Sequence, residues 1–144
     1  MERQDPGQVK RLAELLTKLN REFRDDFKRS NGVPCDLTLA QYQVLTFIAD
    51  KGVQSQKQIA FDLGVTGPTV VRIVDALEHK ELVRRARDVD DRRVVLVSLT
   101  EKGMAAQYDC AVLHEERVAT MIERLPAAAA DVFLVQLATL LKIT

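Results

Sequence analysis

The sequence predicts a mainly α fold of the α+β class, and three observations carry that prediction. Apolar residues recur every three or four positions through most of the 144 residues. Between residues 82 and 100 the period switches to two, in LVRRAR and VVLVSLT. Between these runs stands DVDDRR, whose charge density marks a turn rather than core.

A first helix is predicted over 8–29. Val9, Leu12, Leu16, Leu19, Phe23 and Phe27 form its stripe, while Arg21, Arg24, Asp25 and Lys28 lie off it. SNGVPCD stops it, because Asn31-Gly32 tolerates positive φ and Pro34 forbids continuation. A second helix runs from about Thr38 to Asp50, with Leu39, Tyr42, Leu45 and Ile48 facing inward. Ser55 opens a short third helix that turns Ile59, Ala60 and Leu63 inward and closes at Gly64. Thr66 or Gly67 caps a fourth helix, 66–80, with Pro68 in its first turn, where a missing N–H costs nothing. Its inward set is Val70, Ile73, Val74 and Leu77.

Residues 82–87 and 94–100 are two strands joined as a hairpin. Thr100 caps a long helix on which Met104, Tyr108, Ala111, Val118, Ile122 and Leu125 repeat in a three-four pattern. Pro126 interrupts it, and a last helix runs to about Lys142. Val132, Phe133, Leu134, Val135, Leu137, Leu140, Leu141 and Ile143 cover most of that helix's circumference. A helix apolar all round needs cover on all sides, which a second copy of the chain would supply. Both ends of the chain therefore read as dimerisation elements: 1–36 and 101–144, flanking a lobe at 37–100.

Composition constrains the function classes. The 21 basic and 21 acidic residues cancel, which removes the simplest electrostatic argument for a nucleic-acid or membrane partner but not a local basic patch. No run approaches the apolar length of a membrane span, MERQDPGQVK has no secretory character, and two cysteines are too few for a disulfide-framed domain. A cytoplasmic location without membrane partners is the expectation. There is no Gly-rich phosphate loop and no Gly-x-Ser-x-Gly, so neither an enzyme nor a cofactor is expected. His114 has only Cys110 at helical metal-ligand spacing, and no metal site is expected.

Helix, helix, helix, hairpin over 38–100 is the order of a winged helix-turn-helix, with DLGVTGP as its short glycine-bearing turn. In that architecture the helix 66–80 enters the major groove of DNA. Its outward residues Thr66, Thr69, Arg72 and Ala76 are short or basic, so the backbone can lie close to a groove floor. Arg72 suits a guanine edge or a phosphate, and the threonines suit phosphate, base edges or a thymine methyl. Within the wing, 82–100, Arg92 is placed for the adjacent minor groove, where negative potential is deepest in narrow A·T tracts. Asp88 and Asp91 can brace the turn by accepting bonds from its amides or from Arg93. Arg84, Arg85 and Arg87 add positive charge, but strand alternation prevents all three from reaching DNA.

The stretches LTLAQYQVLTFIAD, SQKQIAFDLGVTGPTVVRIVDALEHKELVRR and above all DVDDRRVVLVSLTEKG resemble the MarR family of dimeric transcriptional regulators. The resemblance implies a triangular homodimer on a pseudo-palindromic operator, released by a ligand or an oxidant. Residue by residue it implies DNA contacts from Ser55, Gln56, Lys57, Thr66, Pro68, Thr69, Arg72, Arg92 and Arg93, with Asp88 and Asp91 bracing the wing. Val89 departs from the family's frequent proline. Glu81 stands where a glycine usually ends the helix, and a non-glycine residue in left-handed geometry there costs roughly 1 kcal/mol.

The leading expectation is a homodimeric repressor released by a small amphipathic or phenolic ligand lodged beside Phe23, Tyr42 and Arg117. Two alternatives stay open. One is thiol-based redox sensing through Cys35, although Asp36 beside it disfavours the thiolate. The other is a winged helix used for protein–protein contacts with no DNA role.

Overall fold

The computed structural model describes residues 5–29 and 36–143, the side chains of 26–29 excepted. In chain order its elements are α1 (Pro6–Arg29), α2 (Leu39–Lys51), β1 (Gln54–Ser55), α3 (Gln56–Leu63), α4 (Gly67–His79), β2 (Val83–Arg87), β3 (Val95–Leu99), α5 (Glu101–Ile122) and α6 (Ala127–Leu140). The chain divides into two compact units, Met1–Cys110 and Ala111–Thr144.

Helix ends follow from local chemistry. Thr38 opens α2 with a capping box: its Oγ1 accepts from the Gln41 amide at 3.2 Å, and Gln41 Oε1 accepts from the Thr38 amide at 3.1 Å. This reciprocal pair turns Gln41 inward, so Gln41 and Val44 are buried while Leu39 and Tyr42, expected inward, are half-buried. Ser55 repeats the device on α3 with Gln58, at 3.1 and 2.9 Å. Gly64 ends α3 in the left-handed region, φ 63°, where any side chain would be strained.

The sheet has the order β1-β3-β2, antiparallel throughout. β2 and β3 pair from Val83↔Leu99 to Arg87↔Val95, and β1 pairs Gln54↔Val97 and Ser55↔Leu96. The hairpin is the one the alternation predicts. β1 is additional, since two residues are too few to show a period.

Val44, Leu45 and Ile48 of α2, Ile59 of α3, and Val70, Val74 and Leu77 of α4 meet Leu82, Val83 and Val97 in the core. Burial of these aliphatic residues gives the lobe most of its stability. Cys110, on α5, is buried and disulfide-bonded. The α5 stripe expected from the sequence is largely exposed in the single chain, including Met104, Tyr108 and Val118; Gly103 and Cys110 are its buried residues instead.

Gly103 shows why α5 starts where it does. A Cβ there would stand 1.9 Å from the Leu82 carbonyl oxygen, so only glycine lets the helix rest on that backbone. Thr100 completes the joint: its Oγ1 donates to Glu81 O at 2.7 Å and accepts from the Gly103 amide at 2.9 Å, and its amide donates to Leu82 O at 3.1 Å. Glu81 itself has φ 61°, so the left-handed residue after α4 is kept without glycine. The reversal is closed by the Leu82 amide reaching back to Leu77 O at 2.9 Å.

The terminal helices differ from the lobe. α6 has no buried residue, and Val132, Phe133, Leu134 and Val135 are exposed in succession. α1 exposes Val9, Leu12, Leu15 and Leu16. Among the described residues no helix is long and apolar enough to cross a membrane.

Candidate nucleic-acid interface

Helix α4 carries three functions on three faces. At about 100° per residue, Val70, Val74 and Leu77 project toward the core, Arg72 projects nearly opposite, and Thr69 and Ala76 lie on the side between, half-buried, with Thr66 at the N-cap. Thr66 and Arg72 are exposed with Pro68, while Thr69 is half-buried. Thr66 is the N-cap residue but makes no side-chain cap bond; its Oγ1 lies 2.9 Å from Thr69 Oγ1. The first-turn amides of α4 thus lack a side-chain cap, and two hydroxyls sit beside the positive end of the helix.

The third face, Val71, Asp75 and Glu78, is gripped by the wing. Val83 and Arg85 lie on one side of β2 because side chains alternate, and Val83 is in the core. Arg85 therefore points at α4. Its Nη1 is 2.5 Å from Asp75 Oδ1 and 2.9 Å from Glu78 Oε2, and its Nη2 donates to Val71 O at 3.1 Å. In the amide orientation that satisfies both of its ends, Gln56 accepts from Arg85 Nε at 3.0 Å and from Nη2 at 3.2 Å. The Gln56 oxygen is thus engaged within the protein, whereas Lys57 is exposed beside it. Ser55 holds the α3 cap, and its hydroxyl proton remains available.

The wing turn is held by its acids. Asp88 Oδ1 accepts from the amides of Asp90 at 2.8 Å and Asp91 at 3.1 Å. Asp91 accepts from the Arg93 amide at 3.0 Å, from its Nε at 3.1 Å and from its Nη2 at 3.2 Å. This guanidinium holds the Asp91 carboxyl below its ordinary pKa. Arg87 Nη1 donates to Arg92 O at 3.0 Å, so the backbone at Arg92 is fixed from the strand. The Arg92 side chain is exposed and makes no hydrogen bond or ion pair with any described residue. Val89 stands almost fully exposed at the tip.

A MarR family model matches residues 37–95, the stretch that holds α2 to the start of β3. The regulator MhqR of Bacillus subtilis is 33% identical over 110 residues, covering 75% of this chain and 76% of its own. The chain belongs to the MarR family. Its fold matches the transcriptional regulator BldR of Sulfolobus solfataricus, with a TM-score of 0.78 at 25% identity, covering 99% of this chain and 100% of that one. It also matches Bordetella bronchiseptica BpsR, a protein whose DNA binding is regulated by 6-hydroxynicotinic acid, with a TM-score of 0.75 at 25% identity over 92% of this chain and 93% of that one. Two further curated relatives are matched over only 60% and 59% of their length.

Within this MarR-family winged helix, the residues first assigned to a ligand are divided between the two units. Phe23 and Tyr42 are half-buried in the first and Arg117 is half-buried in the second. His114, near Arg117 on α5, has its pKa pushed down by burial and then by the Arg117 charge, with Glu115 opposing. Cys35 lies outside the described residues. Sequence reasoning missed a cavity of about 750 Å³ in the first unit, lined by Ile48, Val53, Leu99, Met104 and Tyr108 among others. It also missed the grip of Arg85, although the parity of Val83 and Arg85 and the acids at 75 and 78 were present to read.

Proposed function

We propose that the chain is a homodimeric transcriptional repressor that binds a pseudo-palindromic operator through α4 and the wing. The observation that carries this reading is a division of labour among arginines. Arg85 and Arg93 are tied to carboxylates, while Arg72 and Arg92, on the two elements a winged helix presents to DNA, are exposed. Thr66, Pro68, Thr69 and Arg72 would meet the major groove, and Arg92 the adjacent minor groove. Ser55 and Lys57 would take backbone phosphate, Gln56 only through its amide nitrogen, and Arg93 chiefly shapes the turn. The exposed apolar faces of α1 and α6 support a second copy of the chain as their cover.

A small amphipathic or phenolic effector would relieve repression, with Phe23 and Tyr42 of the first unit as candidate contacts. The cavity beside Tyr108 has the volume of a small-molecule site and is a second place to look. A gel shift with DNA from upstream of the chain's own gene tests the reading. Binding should weaken steeply as salt rises, because phosphates release counterions, and should be reversed by phenolic compounds. Absence of duplex binding at low salt favours a protein-interaction module instead. Release of DNA on a change of redox conditions that Cys35→Ser abolishes would move the reading to redox sensing through Cys35.

A further inference from the structure

We infer that Arg85 is a positioning residue for DNA reading: it sets the roll of α4 about its own axis without touching DNA. The inference rests on the DNA-binding reading above. Core contacts from Val70, Val74 and Leu77 hold the buried side of α4 against the lobe, but they supply no directional bond to its outer flank. The Arg85 fork is directional. It ends on Val71 O, Asp75 and Glu78, spaced four and three along one flank of α4, and on Gln56 at the start of α3. One side chain from β2 therefore spans both helices of the helix-turn-helix. Its side chain is only 22% exposed, so this network is shielded from solvent more than an ordinary surface pair.

The placement explains an otherwise costly choice. Asp75 and Glu78 put negative charge on the helix that must approach a polyanion. As structural partners of Arg85 they share its positive charge, which offsets one of their two negative charges, and they lie on the flank away from Thr69. A roll of about 10° at the 5–6 Å radius of a helix with its side chains moves their tips by about 1 Å. That is enough to misplace hydrogen bonds to base edges while leaving charge attraction to phosphate nearly intact.

The test uses sign rather than size. The parent protein selects a preferred duplex from a random-sequence pool, and a scrambled duplex of the same composition serves as the comparison. Asp75→Asn combined with Glu78→Gln removes two negative charges, and on charge alone it should tighten binding to both. If Arg85 positions α4, affinity for the selected duplex falls about tenfold while affinity for the scrambled duplex holds or rises. Arg85→Lys should show the same loss, since an ammonium cannot reproduce the fork. Equal or tighter binding of the selected duplex by the double variant overturns the inference. So does a loss shared equally by both duplexes, which makes Arg85 a folding residue only. If the parent selects no duplex at all, the DNA-binding reading falls first and takes the inference with it.

Discussion

The lobe at 37–100 and the helices at the chain's ends are built from similar aliphatic residues, yet they stand in opposite conditions. In the lobe, Leu45, Ile59, Val70, Val74, Leu77 and Val97 are sealed. In α6, four consecutive apolar residues from Val132 to Val135 face outward, and α1 exposes its own stripe. Composition does not separate the two regions; partners do. The lobe finds its partners within the chain, through a sheet and three helices that cross one another. The ends carry many exposed large apolar residues, which is why a second copy is proposed there.

Truncations should separate the regions most sharply. Leu45→Ala should cost about 2–5 kcal/mol of stability, because the sealed site loses both transfer energy and packing. Val135→Ala in dilute solution should cost under about 0.5 kcal/mol by the same chemical denaturation, with any loss growing with protein concentration. Comparable losses at both sites would erase the distinction. Next in size, Arg92→Ala should weaken operator binding by about 1–3 kcal/mol and leave the melting temperature unchanged, measured by titration and thermal unfolding. A melting shift without an affinity change would make the arginine part of the lobe's structure.

Smaller still is the joint below α4. Glu81→Gly should raise stability by about 1 kcal/mol, since it relieves φ 61° and loses only an exposed pair with Lys102. The smallest effect belongs to the second unit. Burial keeps the His114 pKa below 6.5, so the unfolded chain binds more protons as the pH falls past that value. Its contribution is complete above pH 6.5 and is lost as pH drops toward the lower folded value. Denaturation curves of His114→Gln, taken on both sides of that pH, should therefore depend less on pH than the parent's.

The sequence made the lobe legible because its signals are local. Caps at Thr38, Ser55 and Thr100 and the change of period at residue 82 mark element ends directly. The bracing of the wing could be anticipated because Asp88, Asp91 and Arg93 lie within one turn. What escaped depends on distance along the chain. Gln41 is buried because the capping box turns it in, not because it is apolar. Arg85 was read only as added positive charge, since its role needs β2 laid against α4, whose contacting residues lie up to 14 positions away in sequence. The buried side of α5 was set by the Leu82 backbone, which admits a glycine and nothing larger.

One measurement bears on the central claim most directly: a hydroxyl-radical footprint of the full chain on the duplex it selects. A dimer reading DNA with α4 and Arg92 should leave two equal, symmetry-related protected patches, their centres separated by a whole number of helical turns of about 10 base pairs each. Within each patch a protected minor-groove segment should lie beside the major-groove site and disappear in Arg92→Ala. A single patch, or a minor-groove segment that survives the substitution, would contradict the account.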